Sequence, residues 1–324
     1  MPQLNTEDDV VNNNAMQILE RHTLGYHAGV SALSGVACVG SDIYFIGDDV
    51  RYLLKTQCNM PITSSTVFEK IALFESSKHI PLAPLAKADK PDFEALSCID
   101  INGQQQLLIM GSGSTEKRKQ ALVFNPVNQQ IQTFFNTIDY DFLAKNLELT
   151  GGAELNIEAV CADAQSLYIF QRGNINRHHG VLVFDLAQIQ AGKSLQQARV
   201  NALSLQLPNI EGSASGISDA CFLAHKNLIV ATAAVEQTAN TYDDGAVLGS
   251  FIIILAMDGK TLATQLLQED NGQPIAIKVE GITWLESTQD GEVFLLVTDS
   301  DGGDSEVLKV LLSHSSFTHH QSTI

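Results

Sequence analysis

From residue 33 onwards the chain alternates short apolar runs with polar, turn-forming stretches, in the pattern of successive β-strands. Five of the runs open on the same wording. They are Leu33-Ser34-Gly35-Val36, Phe93-Glu94-Ala95-Leu96, Ile157-Glu158-Ala159-Val160, Ala214-Ser215-Gly216-Ile217 and Val279-Glu280-Gly281-Ile282. In each, an apolar residue precedes Ser or Glu, then Gly or Ala, then another apolar residue. A second apolar run follows each one, at 42–47, 106–111, 166–171, 227–233 and 292–299. Ser34 to Glu94 is 60 residues, with 64 more to Glu158, 57 to Ser215 and 65 to Glu280. Recurrence on this scale marks a repeat architecture.

Within the units, the apolar runs predict strands at 35–39, 43–47, 50–56 and 67–74, then at 95–99, 106–110, 121–125 and 131–136. The third unit offers 159–162, 167–171, 180–186 and 198–207, and the fourth 216–223, 228–233, 246–256 and 262–267. The fifth shows only 281–285, 293–298 and 307–312. Asn102-Gly103, Asp258-Gly259, Asn271-Gly272 and Asp290-Gly291 carry turn chemistry between them. Helical periodicity is confined to 140–149 and 185–191. Four-stranded units repeated in this way predict an all-β, five-bladed β-propeller, whose radial closure hides sheet edges. The 44 residues after Glu280 are too few for a full unit, so residues 15–24 are expected to pair with the last blade and close the ring. The expectation is a single domain over 1–324, with blades starting near 34, 94, 158, 215 and 280 and a loose, acidic stretch at 1–14.

Composition narrows the partners. Nineteen Lys and Arg stand against 37 Asp and Glu, a net charge of −18, which argues against neutralising nucleic-acid phosphates. No apolar run is long enough to cross a bilayer, so no membrane partner is expected. The amino terminus has neither the basic start nor the apolar segment of a secretory signal, so the expected location is cytoplasmic. Cys38, Cys58, Cys98, Cys161 and Cys221 form no CxxC pair and read as small packing residues, most of them on inner strands.

The position of the repeated wording decides the candidate chemistry. It opens the innermost strand of each blade, so Ser34, Glu94, Glu158, Ser215 and Glu280 are expected to ring one mouth of the central channel. Asp48, Asp49, Ser112, Ser114, Arg172, Glu236, Asp299 and Asp301, which follow the second strands, are expected around them. At about 4 Å and an effective dielectric near 20, each pair of ionised Glu residues is destabilised by roughly 4 kcal/mol. Protonation, a neighbouring Arg or a cation must relieve that repulsion. The all-oxygen donor set suits a hard cation, and a wide ring favours Ca²⁺ over Mg²⁺; hydrogen bonding to backbone amides is the alternative.

The order Ser, Glu, Glu, Ser, Glu across five blades resembles that of the calcium-activated nucleotidase (apyrase) family. Three local stretches are also similar to it: Leu33-Ser34-Gly35-Val36 with Tyr44 and Asp48-Asp49, Ile157-Glu158-Ala159 with Phe170-Gln171-Arg172, and Val279-Glu280-Gly281-Ile282. Phe-Glu-Ala-Leu, Gly-Ser-Gly-Ser, Gln-Arg-Gly-Asn and Val-Glu-Gly-Ile resemble the wording of uncharacterised bacterial phytase-like propeller proteins. The resemblance implies one Ca²⁺ on the axis, held by Ser34, Glu94, Glu158, Ser215 and Glu280. It implies a small anionic or phosphorylated ligand, with Asp48 or Asp49 activating water and Arg172 steadying the developing charge. The chain departs from the nucleotidases at Val50-Arg51-Tyr52, where they carry Arg-Thr-Gly, and at Arg172-Gly173, where they carry two arginines. A non-catalytic propeller with a structural Ca²⁺ is the alternative.

Three further groups carry candidate chemistry. Gly111-Ser112-Gly113-Ser114 with Lys117, Arg118 and Lys119 offers amides and cations to an oxyanion, or is a solvated basic loop. His178-His179 offers metal binding or acid–base chemistry, against an ordinary loop pair; His319-His320 lies in a polar tail. The stretch 299–304 begins like a calcium loop but lacks the glutamate at the twelfth position.

Overall fold

The computed structural model describes residues 15–24, 32–75, 85–173, 176–237, 245–269, 271–300 and 304–318. The expectations for 1–14, for Asp301 and for His319-His320 lie outside the described residues.

Five antiparallel sheets are arranged as the blades of a five-bladed β-propeller. Blade one runs outward through Leu33–Val39, Asp42–Gly47, Tyr52–Gln57 and Glu69–Ala72. Blade two comprises Phe93–Ile101, Gln104–Gly111, Ala121–Asn125 and Gln130–Phe135. Blade three comprises Ile157–Ala162, Ser166–Gln171, His179–Asp185 and Arg199–Leu205. Blade four comprises Ser213–Leu223, Leu228–Gln237, Ala246–Leu255 and Thr261–Leu266, with Asn209–Ile210 added beside its inner strand. Blade five takes Lys278–Ser287, Gly291–Asp299 and Ser305–Ser313 from the end of the chain. Its fourth strand, Met16–Leu24, comes from the beginning and pairs antiparallel with Ser305–Ser313 from Met16–Leu312 to Leu24–Ser305. The expected closing strand therefore forms, and the ring is complete.

The core is divided among the five gaps between blades. Leu107 and Ile109 pack towards blade one, while Leu108 and Met110 on the same strand pack towards blade three. Side chains alternate across a strand, so a strand buried on both faces reads as an unbroken apolar run. Each such Leu or Ile, fully buried, contributes about 1.5–3 kcal/mol.

Where inner strands approach one another, the residue after the repeated Ser or Glu is small for steric reasons. A Cβ on Gly281 would lie 2.5 Å from Val297 Cγ2 and 3.1 Å from Gly35 Cα. A Cβ on Gly35 would lie 2.9 Å from Leu96 Cβ.

The expected helical stretches are present with shifted bounds. Thr137–Lys145 is capped by Asn136, which accepts the Ile138 and Asp139 amides while Asp139 reaches back to the Asn136 amide. Its buried Tyr140 hydroxyl sits 2.8 Å from Gln120 O and 3.1 Å from Gly111 O, bracing the loop that follows the second strand of blade two. Leu147–Thr150 and Leu186–Gln190 are the other two. Leu195–Ala198 is a fourth helical turn, just before the outer strand of blade three. Among the described residues no helix is long and apolar enough to cross a membrane.

Candidate functional site

The pairing of the inner strands explains how the repeated wording aims its polar residue. Register shifts fall between Leu33 and Gly35, Phe93 and Ala95, Ile157 and Ala159, and Val279 and Gly281. Ser34, Glu94, Glu158 and Glu280 are thus the extra, unpaired residues of β-bulges, which bend a strand and re-aim a side chain. In blade four the shift falls between Ile217 and Asp219, while Ser215 pairs regularly with Val235. The bulged residue there is Ser218, three positions beyond the expected one. Counted through Ser218, the spacings become 60, 64, 60 and 62, more even than the count through Ser215. Ala214-Ser215-Gly216-Ile217 imitates the motif closely, and Asp219 where other blades carry Gly or Ala disguises the true position.

Three of the five expected ring residues come together. Glu94, Glu158 and Glu280 each offer a carboxylate oxygen within 4.8 Å of the others. Glu94 also joins Asp48 and Asp92 in a second group of the same size, and so belongs to both. The two serine hydroxyls turn to backbone instead. Ser34 donates to Phe93 O, and Ser215 donates to Pro208 O at 2.7 Å. Ser218 donates to Thr232 Oγ1 at 2.9 Å. Asp49 belongs to neither carboxylate group.

Basic side chains are threaded among these acids. The buried Arg172 guanidinium lies 3.4 Å from Glu158 Oε2, 3.4 Å from Glu280 Oε1 and 2.8 Å from Glu236 Oε2. Lys278 Nζ lies 3.3 Å from Glu280 and 3.6 Å from Glu236, with Asp299 at 3.9 Å. Lys90 pairs with Asp48 and, at 2.9 Å, with Asp92; Arg118 reaches Asp92 at 2.8 Å. Among the described residues the repulsion is therefore relieved in part by the chain's own cations, chiefly Arg172. Ionised, the seven acids Asp48, Asp92, Glu94, Glu158, Glu236, Glu280 and Asp299 exceed Lys90, Arg118, Arg172 and Lys278 by three charges.

Residues two positions before each motif glutamate complete the site. Asn156 donates to Glu158 Oε1 at 2.6 Å, Lys278 pairs with Glu280, and Asp92 clusters with Glu94. Asp92 takes a left-handed φ of 54°, which a short polar side chain tolerates. Its carbonyl accepts the Ser112 amide at 2.9 Å, just as Ala32 O accepts Asp48 N and Asn156 O accepts Arg172 N. In blades one to three this bond ties the residue after the second strand to the base of the motif. Asp48, Ser112 and Arg172 are placed at the mouth in this way.

Burial pushes Glu94 well above the ordinary carboxylate range, with Asp92, Glu158 and Asp48 adding to it and Lys90 opposing. Burial raises Glu158 to about 8 despite Arg172. Asp48 is raised by burial against the pull of Lys90. Since folding lifts Glu158 from its ordinary 4.5 to about 8, the folded chain holds this proton more tightly than the unfolded one. That contribution is fully present below about pH 4.5 and is lost as pH rises towards 8. Melting temperature in chelator is expected to fall across that window, with a smaller fall in Glu158→Gln. Parallel scanning-fluorimetry pH series of the two proteins check this.

The other candidates resolve differently. Lys117 pairs with Asp89 at 2.8 Å, Arg118 with Asp92 and Lys119 with Asp141 at 2.7 Å, so the basic loop is internally neutralised. His179 is buried, accepts the Gly173 amide on Nδ1 at 3.2 Å, and is lowered to about 4 by burial and then by Arg172. His178 is half-buried, and its Nε2 lies 2.9 Å from Glu148 O.

The donor chemistry fits a hard cation. Oxygens on opposite sides of Ca²⁺ stand about 5 Å apart, twice a bond of ~2.4 Å, and the carboxylate trio fits inside that span. Glu94 is shared by the two carboxylate groups, and Lys90 is the cation that acts on it.

Several solved structures resemble the fold. A hypothetical protein from Leishmania major aligns with a TM-score of 0.51 at 10% identity, covering 93% of this chain and 92% of that one. Glutaminyl cyclase from Myxococcus xanthus aligns at 0.50 with 11% identity, covering 92% and 96%. Hydrazine synthase from Kuenenia stuttgartiensis aligns at 0.41 with 9% identity; 82% of this chain spans 64% of that one. At these identities the likeness concerns the fold alone. No curated protein matches in sequence. The family of unknown function DUF6929 matches residues 29–312, and the chain belongs to that family.

Proposed function

We propose that the channel mouth is a Ca²⁺ site on Glu94, Glu158 and Glu280, serving the hydrolysis of a small phosphate ester or anhydride. The observation that carries this reading is the convergence of three carboxylates from three blades, with a net acid excess around them. When bound, the ion would supply a Lewis acid that holds and polarises a phosphoryl oxygen. Asp48, raised by burial, suits the acceptance of a proton from water, and Lys90 beside it fixes its orientation. Asn156 orients Glu158 through its amide. Arg172 reaches from blade three towards the same centre and offers its charge to a ligand oxyanion. The resemblance to the calcium-activated nucleotidases points the same way.

A second reading has its own support. Arg172 is already engaged by three carboxylates, which favours a structural ion and a face that binds without turnover. Calorimetric Ca²⁺ titration, with phosphate release from nucleotides, sugar phosphates and phytate, separates the two. Glu158→Gln is expected to weaken Ca²⁺ binding at least tenfold, since the loss of about 1.4 kcal/mol suffices. Unchanged affinity removes Glu158 from the ligand set. Binding without phosphate release selects the structural reading, and heatless titration of the wild type removes both.

A further inference from the structure

Blade four supplies no glutamate to the mouth, yet two of its fully buried side chains hold the strand that carries Glu280. They are Asp219 on its inner strand and Ser250 on its third. Asp219 Oδ2 accepts the Ile282 amide at 2.7 Å. Ser250 Oγ accepts the Val279 amide at 3.0 Å and donates to Ile277 O at 2.8 Å. The two amides flank Glu280, one residue before it and two after. Glu280 itself is the bulged residue, without a partner across the strand, so its own sheet constrains it less than its neighbours. Whatever holds the flanking amides therefore sets where its carboxylate points.

Asp219 is the exception in the repeat. The other four blades carry Gly35, Ala95, Ala159 and Gly281 directly after the bulged residue. An acid is unfavourable here: Asp219 Oδ1 has no hydrogen-bond partner among the described residues. Burial pushes the group well above the ordinary carboxylate range, against the pull of the Ile282 amide. Blade five shows half of the same device towards blade one. Ser305 Oγ, on its third strand, accepts the Leu33 amide at 3.2 Å, one residue before Ser34. Gly281 stands there in the place of Asp219, so blade one lacks the second hold, and Ser34 turns to Phe93 O instead of joining the carboxylates.

We propose that Asp219 is a positioning residue for the cation site, completing with Ser250 a two-point hold on blade five that keeps Glu280 in the carboxylate trio. This rests on the reading of the mouth as a Ca²⁺ site. Arg172 and Lys278 both draw on Glu280 Oε1, at 3.4 and 3.3 Å. With its backbone fixed on both sides, Glu280 stays within reach of Glu94 and Glu158 against that pull.

Calorimetric Ca²⁺ titration of the full chain tests this with three variants. Asp219→Ala removes the acceptor and is expected to weaken Ca²⁺ binding roughly tenfold, the lower end for groups that orient a metal ligand. Asp219→Asn keeps an oxygen for the Ile282 amide and should stay within about twofold of the wild type. Ser305→Ala cuts the hold on blade one, so it should lower the melting temperature and leave Ca²⁺ affinity unchanged. Wild-type affinity in Asp219→Ala overturns the inference and leaves the Ca²⁺ site standing. Equal weakening in Asp219→Asn also overturns it, by tracing the effect to the acid's charge and not to its hold. Equal weakening in Ser305→Ala does the same, by tracing the effect to general loosening. If Asp219→Ala does not fold, Ser250→Ala, which releases the Val279 amide, takes its place with the same expectation. A heatless titration of the wild type removes the Ca²⁺ reading and this inference with it.

Discussion

Arg172→Met is expected to destabilise the protein by about 3–5 kcal/mol in chelator, the range for removing one partner of a buried ion pair. The guanidinium is buried and shared among Glu158, Glu236 and Glu280 on three blades. Methionine fills a similar volume and leaves packing nearly intact, so the loss would report the unmatched carboxylates. Arg172→Lys should fall between, because a single ammonium keeps the charge but cannot address three acids as a planar fork does. Saturating Ca²⁺ should recover part of the loss in both variants if the ion binds where proposed. Urea denaturation with and without calcium measures all of this. A wild-type midpoint for Arg172→Met in chelator would mean that the acids share protons and do not depend on the arginine.

The second large effect is steric. Gly281→Ala is expected to destabilise by about 3 kcal/mol, at the upper end of overpacking substitutions. The new methyl would meet Val297 Cγ2 at 2.5 Å and the Gly35 backbone at 3.1 Å, with a strand from another blade on one side. Blades five and one would have to separate to accommodate it. Alanine is already present at the equivalent positions 95 and 159, so the effect should be specific to this seam. Gly40→Ala provides the comparison: it meets nothing within 4 Å and carries only the strain of a φ of 60°. Chemical denaturation of the two variants side by side gives the answer, and equal midpoints would disprove the close approach.

The apolar runs and the turns between them were enough to place most blade strands to within a few residues, and the second strands, buried on both faces, leave the clearest mark. The closing strand followed from counting. Glu94, Glu158 and Glu280 were legible because the bulge keeps them in constant register with the wording around them. Ser215 was misplaced for the converse reason: the imitation motif lies on a blade-four strand longer than its counterparts, and only the hydrogen-bond register reveals Ser218. Lys90, Asp92 and Asn156 carried a signal that went unused, since each sits on the strand or loop immediately before a motif glutamate. The reach of Arg172 across to Glu236 and Glu280 had no local trace at all; it depends on how blades three, four and five meet.

The ring is shut by a noncovalent latch, and the latch lies outside the stretch by which the family is recognised. The family match begins at residue 29, whereas the strand that completes blade five ends at Leu24. A fragment trimmed to residues 29–312 would keep all five inner strands and every acid of the mouth. It would also leave Ser305–Ser313 with an open row of amides and carbonyls, inviting a neighbour's strand to take the vacant place. What begins as a sequence boundary would end as a sticky edge, and self-association of such a fragment would say nothing about how the full chain behaves.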